Sequence, residues 1–451
     1  MLESVANIFK VEELKRKILI TLSLLIVYRA GCFIPTPGID TFALSVFFDN
    51  LAKTQGQTLL GIMNLFTGGA LTRLSIFALG IMPYISASII MQLLTAVVPT
   101  LEKIAKEGKA GYEKINQYTR YLTFFLCGVQ GLFLAKWLEN PANFQGTIIV
   151  PIPGILFKFI TVITLTCGTI FIMWLGEQIQ ERGIGNGISL IITASILSRI
   201  PVSIGQIWRV WSPLDPSKSE ISTPTVIILI GLWFLVIMAV VLFTQAQRRI
   251  PVQYGRRVVG RKVYGGQSTY LPIKIDMAGV IAIIFAQSVI LFPATIATFF
   301  PGKIGIVNFL QNIFRERGLG YNVMFVGLIV FFMYFYTALV FNSIEIANNL
   351  KKYGGFIPGI RPGKPTSNYL DFVATRVVFV GALYISGIAI LPNIIMYMFK
   401  VPSYGFASLF GGTTLLIMVG VVLDTMKQIE GQLMIRHYDG FIKGGSLKGR
   451  K

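Results

Sequence analysis

Side chains that commonly perform catalysis or hold metals are few in this 451-residue chain and lie far apart. The only histidine, His437, stands among polar residues near the C-terminus, and the three cysteines, Cys32, Cys127 and Cys167, form no CxxC pair. Zinc sites and disulfide frameworks need suitably spaced Cys and His residues, and acid–base catalysis needs a positioned titratable group. We therefore predict no metal, no cofactor and no enzymatic activity.

The charge composition indicates a membrane protein. Charged residues make up 13% of the chain and hydrophobic residues 54%. Soluble domains carry about 25% charged residues, disordered chains are poor in hydrophobic residues, and basic nucleic-acid binders add their charge to an ordinary soluble composition. The formal charge of +20 therefore belongs to an integral membrane protein whose few charges are mostly basic.

Ten apolar stretches are long enough, or nearly so, to cross a hydrocarbon core of about 30 Å, which needs roughly 20 helical residues. They are residues 18–34, 74–101, 121–135, 159–176, 183–198, 221–247, 277–302, 318–344, 377–399 and 401–423. The third and fifth are the shortest. The first contains a charged residue, Arg29, and we expect its long side chain to reach the interface.

An even number of spans puts both ends of the chain on one side of the membrane. With the N-terminus in the cytoplasm, 28 of the 40 Lys and Arg residues fall on the cytoplasmic side and 11 on the other. Because cytoplasmic loops are rich in Lys and Arg, we predict cytoplasmic termini. The spans divide into an N-terminal half (1–211), a C-terminal half (212–426) and a cytoplasmic tail (427–451). Halves with five spans each must be inverted relative to each other if they share a fold.

The membrane interior lacks the groups that coupled transport or catalysis needs. Transporters and pumps place ionisable side chains within their spans, and intramembrane hydrolases need a histidine, a metal or paired carboxylates at depth. A passive pore is the leading hypothesis, a secondary transporter with inverted repeats the second, and a membrane-embedded enzyme the third. Uncharged polar residues such as Ser86, Gln130 and Ser288 do occur in the spans. They either bond between helices or line a wetted, separable interface.

Residues 59–72, just before the second span, are apolar and rich in glycine but too short to cross the membrane. Segments of this length are typical of re-entrant or interfacial helices. One interpretation is a half-helix, hinged at Gly68 and Gly69, that acts as a movable stopper in a cavity. The other is an amphipathic helix that lies in the interface.

Two basic loops, 248–276 and 345–376, are predicted on the cytoplasmic face. The first has seven basic residues, and its Val and Tyr alternation between glycines is typical of a hairpin. Such charge can serve as a topology signal and as a contact for anionic lipid. The length of the loops favours a docking surface for a large anionic partner, such as an RNA particle.

Specific motifs occur along the whole chain. They are GGALTRLSIFALGIMPYISAS at 68–88, WLGEQI at 174–179, ERGIGNG at 181–187, QST at 267–269, MAGV at 277–280, FPATI at 292–296, FYTALVFN at 335–342 and PGIRPG at 358–363. Together they resemble the SecY family of bacterial and plastid protein-conducting channels. The resemblance implies an all-α membrane protein whose ten transmembrane helices form two inverted five-helix halves around a central pore.

The resemblance also implies residue roles. A plug at 59–72 would include Ile62, Met63, Asn64, Leu65, Phe66, Gly68 and Gly69. An aliphatic pore ring, which resists wetting yet yields to an extended chain, would consist of Ile81, Ile85, Ile192, Ile284 and Ile417. A lateral gate of spans 2 and 3 against 7 and 8 would include Ser86, Gln130, Ser288, Phe292 and Ile296. Docking of the motor or the ribosome would use Arg256, Arg257, Arg261, Lys262 and Arg361.

The partners implied by the resemblance are the small membrane subunits SecE and SecG, the SecA motor ATPase and the ribosome. Signal sequences and nascent polypeptides would be the substrates, and membrane lipid would receive transmembrane segments sideways. The expected location is the bacterial inner membrane, with the plastid thylakoid membrane as the second choice. One departure is Ala282, which stands where the family commonly has a proline, so the resemblance gives no proline kink there.

Overall fold

A computed structural model describes residues 11–55, 59–144, 146–211, 223–254, 257–259, 262–264, 268–299, 319–399 and 411–444, and the fold below is that of these residues. They form fifteen α-helices, two short 3-10 helices (Leu71–Arg73 and Pro141–Phe144) and five strands. The first eight α-helices are α1 (Glu12–Gly31), α2 (Thr41–Gln55), α3 (Leu59–Phe66), α4 (Met82–Val97), α5 (Pro99–Lys106), α6 (Lys109–Leu138), α7 (Ile155–Arg182) and α8 (Gly187–Leu197). The other seven are α9 (Ile200–Trp211), α10 (Thr223–Gln245), α11 (Val280–Phe299), α12 (Leu319–Val340), α13 (Ser343–Lys352), α14 (Lys364–Phe399) and α15 (Gly412–Gly444).

The helices agree with a membrane-spanning bundle. In the described part of the chain, seven helical stretches are long and apolar enough to cross a membrane, and the bent pair α4–α5 can supply an eighth. The remaining two predicted spans correspond to α1, which begins with the charged residues Glu12 and Glu13, and to α11, a helix of 20 residues without a charged side chain. The count of ten is therefore consistent with the structure, and the all-helical membrane core is confirmed.

The bounds predicted for the second span, 74–101, are wrong. Residues 74–80 form turns, and the helix begins only at Met82, with Pro83 in its first turn. The helix then ends at Val97, and α5 leaves it at an angle of 99°. Pro99 explains this end, because proline disfavours helical backbone in the residue before it. The turns pass between α1 and α7, where Phe77 stacks on Tyr28 and Phe171.

The two shortest predicted spans also differ from the observed helices. α6 has 30 residues because the charged segment before the third span continues the same helix, largely exposed. α8 has only 11 residues, and α9 follows after a break at Ser198 and Arg199. The lengths of the uncharged stretches therefore predicted where these helices lie but not where they begin and end. A helix can continue from apolar into polar surroundings.

Contacts between helices connect the N-terminal and C-terminal halves of the chain. α4 packs on α6 and α6 on α7, while α12 packs on α11 and α14. α11 also contacts α4 and α6, and α15 contacts α8. Because these pairs join helices from before and after the 212–222 segment, one continuous hydrophobic core includes residues from both predicted halves. The segment itself lies outside the described residues.

The basic loop 248–276 forms the predicted hairpin. Strand β1 (Gln247–Tyr254) pairs antiparallel with β4 (Ser268–Lys274), and the short strands β2 (Arg257–Val259) and β3 (Lys262–Tyr264) pair with each other. A fifth strand, β5 (Gly355–Phe356), adds to β1 from the second basic loop. Ile250, Val252 and Ile273 of the hairpin are buried with Ile357 and Leu370, so this small core fastens the hairpin to α14.

The last helix does not stop at the predicted start of the tail. α15 runs without interruption from Gly412 to Gly444, through the boundary placed between residues 426 and 427. The predicted beginning of the tenth span, at 401, lies outside the described residues.

Candidate functional site

The five isoleucines of the predicted pore ring are all buried. Ile81 caps the start of α4 and Ile85 lies in its first turns, while Ile192, Ile284 and Ile417 lie on α8, α11 and α15. Their exposed fractions are 6% or less, and all five belong to one hydrophobic core. α4 contacts α11, α11 contacts α15 and α15 contacts α8. The elements that carry the ring therefore form a connected series of packed helices.

The predicted plug is a short helix inside the bundle. α3 contacts α8 on one side and α11 on the other, which are also the elements of Ile192 and Ile284. Met63, Asn64 and Phe66 are buried, at 6% exposure each. These three described side chains are enclosed by protein, as the re-entrant interpretation predicts for them. The side chains of Ile62 and Leu65 lie outside the described residues.

Backbone turns close the end of α3. Gly68 and Gly69 have φ angles of +64° and +90°, which glycine adopts at little cost. The backbone N–H of Gly69 donates to the carbonyl of Asn64 at 2.9 Å, and the side-chain oxygen of Asn64 accepts from the backbone N–H of Thr72 at 3.3 Å. The predicted hinge is thus a defined turn whose polar groups are bonded locally.

A pair of side-chain contacts holds this turn against α1 and α8. The guanidinium of Arg29 donates to the Gly68 carbonyl at 3.1 Å, and the hydroxyls of Tyr28 and Ser195 lie 2.6 Å apart. A Cβ placed on Gly68 would be 3.1 Å from the Ser195 Cα and 2.7 Å from the Arg29 Nη1. We call Tyr28, Arg29, Gly68 and Ser195 the plug latch. It joins the first predicted span, the plug and the fifth predicted span.

Arg29 was expected to reach the interface; the structure shows that its half-buried side chain bonds to the turn that follows α3. Its guanidinium also lies 5.4 Å from the centre of the Phe33 ring, and that of Arg73 lies 4.7 Å from the same ring. The sequence held one signal for this role, since Arg29 is the charged residue within an otherwise uncharged span. Tyr28 and Ser195 carried no such signal, because they are ordinary residues 167 positions apart.

The predicted lateral gate is closed where it is described. α4 and α6 both contact α11, and Ser86, Gln130 and Ser288 are buried at 8%, 8% and 2% exposure. The Ser288 hydroxyl lies 2.8 Å from the carbonyl of Ile284 and 3.8 Å from the Met82 sulfur across the α4–α11 contact. The side chains of Phe292 and Ile296 lie outside the described residues, although the backbone of α11 passes through both positions.

The predicted docking residues are only partly described. Arg257 lies in β2 and Lys262 in β3, and Val259 of β2 pairs with Lys262. Arg256 and Arg261 fall outside the described residues, as do the side chains of Arg257 and Lys262. Arg361 is exposed, and its carbonyl accepts a hydrogen bond from the Thr366 hydroxyl at 2.8 Å.

Asp276 joins the hairpin to α11. One oxygen of its carboxylate, Oδ1, is shielded from solvent and has no hydrogen-bond partner among the described residues. Burial raises the pKa of this carboxyl to about 6, and nearby Asp424 also raises it, while Gly279, Lys274 and Lys427 act in the opposite direction. A group with this pKa changes charge just below neutral pH.

Comparison with known proteins decides the family. The SecY family model matches residues 75–426. The protein translocase subunit SecY of Escherichia coli (strain K12) is 48% identical over 440 residues, which cover 97% of this chain and 96% of that protein. The protein of the same description from Aquifex aeolicus (strain VF5) is 44% identical over 444 residues, covering 98% and 100%. The chain belongs to the SecY family.

Solved structures with little sequence identity share the fold of this chain. A structure described as "The structure of a protein conducting channel" has a TM-score of 0.64 at 19% identity and covers 96% of this chain and 95% of its own. Sec61 in the canine ribosome-channel complex from the endoplasmic reticulum has a TM-score of 0.60 at 18% identity, with the same coverage. At these identities the matches show a shared fold. That fold is the SecY channel fold expected from the sequence motifs.

Proposed function

We propose that this chain is the pore-forming subunit of a membrane protein translocase. Unfolded secretory polypeptides cross the membrane through its centre, and transmembrane segments leave sideways between α4 and α11. One observation carries the proposal: α3 contacts both α8 and α11, the elements of Ile192 and Ile284, and its described side chains at 63, 64 and 66 are buried. A short helix in that position blocks a path that only its displacement opens, which suits a channel that is closed at rest.

In this proposal the pore ring is an apolar constriction that seals the channel against ions. Ile81, Ile85, Ile192, Ile284 and Ile417 bring no charge to the constriction, so ions lose hydration without compensation there. Aliphatic side chains can move aside for an extended polypeptide and close again behind it. The energy for transport comes from partners in this proposal, because the five isoleucines of the ring have no group that could couple transport to ions or to a covalent step.

The partners and the location follow from the same proposal. We infer that SecA and the ribosome dock on the face that carries the hairpin and Arg361, and the match to Sec61 in a ribosome complex supports the ribosome. SecE and SecG accompany the chain in the bacterial inner membrane, with both termini in the cytoplasm. The excess of Lys and Arg on that side supports this orientation.

Deleting residues 60–72 tests both the channel and its plug. In planar bilayers, the purified chain with its co-purified subunits is expected to conduct ions rarely, and the deletion variant to show larger or more frequent openings. In vesicles, the intact chain is expected to pass an unfolded secretory precursor when SecA and ATP are added. Unchanged ion tightness of the deletion variant would reject the plug, and failure of the intact chain to pass any precursor would reject the translocase.

A further inference from the structure

Three arginines lie around the turn that follows α3. Arg29 is near the end of α1, Arg73 ends the first 3-10 helix, and Arg199 lies at the break between α8 and α9. We call these three residues the arginine cluster. Each stands at or near a predicted outer end of a span, so the cluster is expected on the side of the membrane opposite the basic loops.

Two members of the cluster lie against the turn itself. The Arg29 guanidinium donates to the Gly68 carbonyl at 3.1 Å. A Cβ placed on the next residue, Gly69, would be 3.6 Å from both the Cζ and the Nε of Arg199. Consecutive Cα atoms are about 3.8 Å apart. The guanidinium groups of Arg29 and Arg199 therefore meet the same short stretch of backbone.

The third member, Arg73, stands at the solvent side of the cluster. Its guanidinium lies 4.7 Å from the centre of the Phe33 ring, and that of Arg29 lies 5.4 Å from the same centre. Arg73 and Phe33 are exposed, whereas Arg29 and Arg199 are half-buried. The cluster thus has an open side, through which a small solute can reach its half-buried part.

The three positive charges have little compensation. No member of the cluster forms an ion pair within the described part of the chain. Asp49 on α2 acts electrostatically on Arg199, but its side chain is exposed and makes no ion pair there. The Nε of Arg199 is shielded from solvent and has no hydrogen-bond partner among the described residues. Buried donors of this kind are rare, because leaving them unpaired costs free energy.

We propose that the arginine cluster binds a small inorganic oxoanion, sulfate or phosphate, from the outer compartment. Guanidinium groups suit such an anion because their planar sets of N–H donors form paired, charge-assisted hydrogen bonds with its oxygens. The half-buried position of Arg29 and Arg199 strengthens the attraction, since partly buried charges are screened less than exposed ones. The anion would compensate all three charges and offer the Nε of Arg199 an acceptor.

A bound anion would favour the closed state of the proposed channel. It would join α1, the segment after the predicted plug and the α8–α9 break around one turn. Displacement of α3 would take this turn away from Arg29 and Arg199, and so disrupt the site. A ligand that binds one state better shifts the equilibrium towards that state. This effect on opening rests on the proposed function, whereas the binding itself does not.

Equilibrium dialysis with radiolabelled sulfate tests the site directly. The full chain with its co-purified subunits, in detergent and at an ionic strength kept constant with chloride, is expected to bind one sulfate per chain, with phosphate as a competitor. Arg73→Gln and Arg199→Gln are each expected to weaken binding about tenfold. Lys136→Gln removes a charge from an exposed position on the same predicted side and is expected to bind sulfate as the parent chain does.

Melting temperatures without sulfate show whether the variants fold. If Arg199→Gln does not, Arg73→Gln decides, because its side chain is exposed. Absent or non-saturable binding by the parent chain would overturn the proposal. Equal losses of affinity in Arg73→Gln and Lys136→Gln would also overturn it, since they would show a general attraction to positive charge.

Sulfate added to one side of a planar bilayer tests the effect on opening. Openings induced by a signal peptide are expected to become severalfold rarer with millimolar sulfate at the outer face and to be unchanged with sulfate at the inner face. In chloride alone, Arg73→Gln is expected to open as the parent chain does, but it should not respond to sulfate. A parent channel that conducts and ignores sulfate would overturn the effect on closure. A chain that never opens would contradict the proposed function, while dialysis would still decide the binding.

Discussion

At the residue scale, the plug latch is the feature that residue types alone would not have revealed. Arg29 bonds to a backbone carbonyl of the plug turn, and the Tyr28–Ser195 contact brings α1 to α8 beside that turn. A hydrogen bond from a charged donor contributes about 1.5–3 kcal/mol. In the proposed channel the predicted plug must leave before the pore opens, so this energy would act directly on the balance between closed and open states.

The latch predicts a specific effect of Arg29→Gln. Loss of the bond to the Gly68 carbonyl is expected to increase the open fraction of the resting channel by about tenfold or more, measured as ion conductance in planar bilayers. Arg73→Gln is the matched control, because it removes a charge from the same Phe33 ring without touching the plug carbonyl. Equal conductance of the two variants would show that charge near the plug matters and that the hydrogen bond does not.

At the element scale, the contact between α4 and α11 is the predicted exit for transmembrane segments. The Ser288 hydroxyl and the Met82 sulfur are 3.8 Å apart across it. Met82→Cys combined with Ser288→Cys is expected to form a disulfide that blocks membrane insertion of transmembrane segments until a reductant is added. Each single cysteine variant serves as the control. Normal insertion by the oxidised double variant, with the disulfide verified by mass spectrometry, would reject this contact as the exit.

Asp276, between the hairpin and α11, predicts how the stability of the chain depends on pH. Its pKa is raised to about 6 from an ordinary value of 3.8, so the folded state binds more protons than the unfolded state between these pH values. Stability contributed by the protonated form is therefore complete below about pH 4 and is lost as the pH rises through about 6.

Thermal unfolding in detergent tests the sign of this effect. The Asp276→Asn variant is expected to melt at a higher temperature than the parent chain at pH 7.5. It is also expected to lack the decline in melting temperature that the parent chain shows between pH 4 and 6. Asp424→Asn, at an exposed position on α15, is the control and is expected to leave most of that decline in place. A parent chain whose melting temperature rises over this interval would contradict the assignment.

At the scale of the whole molecule, the two basic loops and the helical core have separate roles in the proposed translocase: the loops bind partners, and the core contains the pore. Arg361 is exposed, and its side chain takes part in no ion pair within the described residues. The hairpin is fastened to α14 by the small core around Leu370. A partner bound to the hairpin is therefore connected to α14 through packed side chains.

Charge reversal at Arg361 tests docking without disturbing the bundle. Arg361→Glu is expected to lower SecA-driven translocation at least tenfold while leaving membrane insertion and the melting temperature of this chain unchanged, because the side chain is exposed. Lys364→Glu, a reversal three residues away on the same loop, is the matched control and is expected to have a smaller effect. Normal translocation by Arg361→Glu would reject the docking role.

Much of the architecture could be predicted from residue composition along the chain. Long apolar stretches favour lipid, so their lengths predicted ten spans, a count with which the described helices are consistent. The Val and Tyr alternation in 248–274 predicted the hairpin that is observed. The glycine-rich segment 59–72 stood out because it is apolar but too short to cross. The helix ends were less accessible, as the turns at 74–80 and the bend at Val98 show, because neighbouring elements decide where a helix stops.

The sequence by itself determined that the chain is a membrane protein whose predicted spans contain a single charged residue, Arg29, since burial of charge in hydrocarbon is costly wherever the helices lie. Its motifs identified the family. Only the tertiary structure decided which helix faces meet: that α3 contacts both α8 and α11, and that Arg29 bonds to the turn that follows α3. The physical reason is that hydropathy depends on each residue alone, whereas such contacts depend on the positions of residues far apart in the chain.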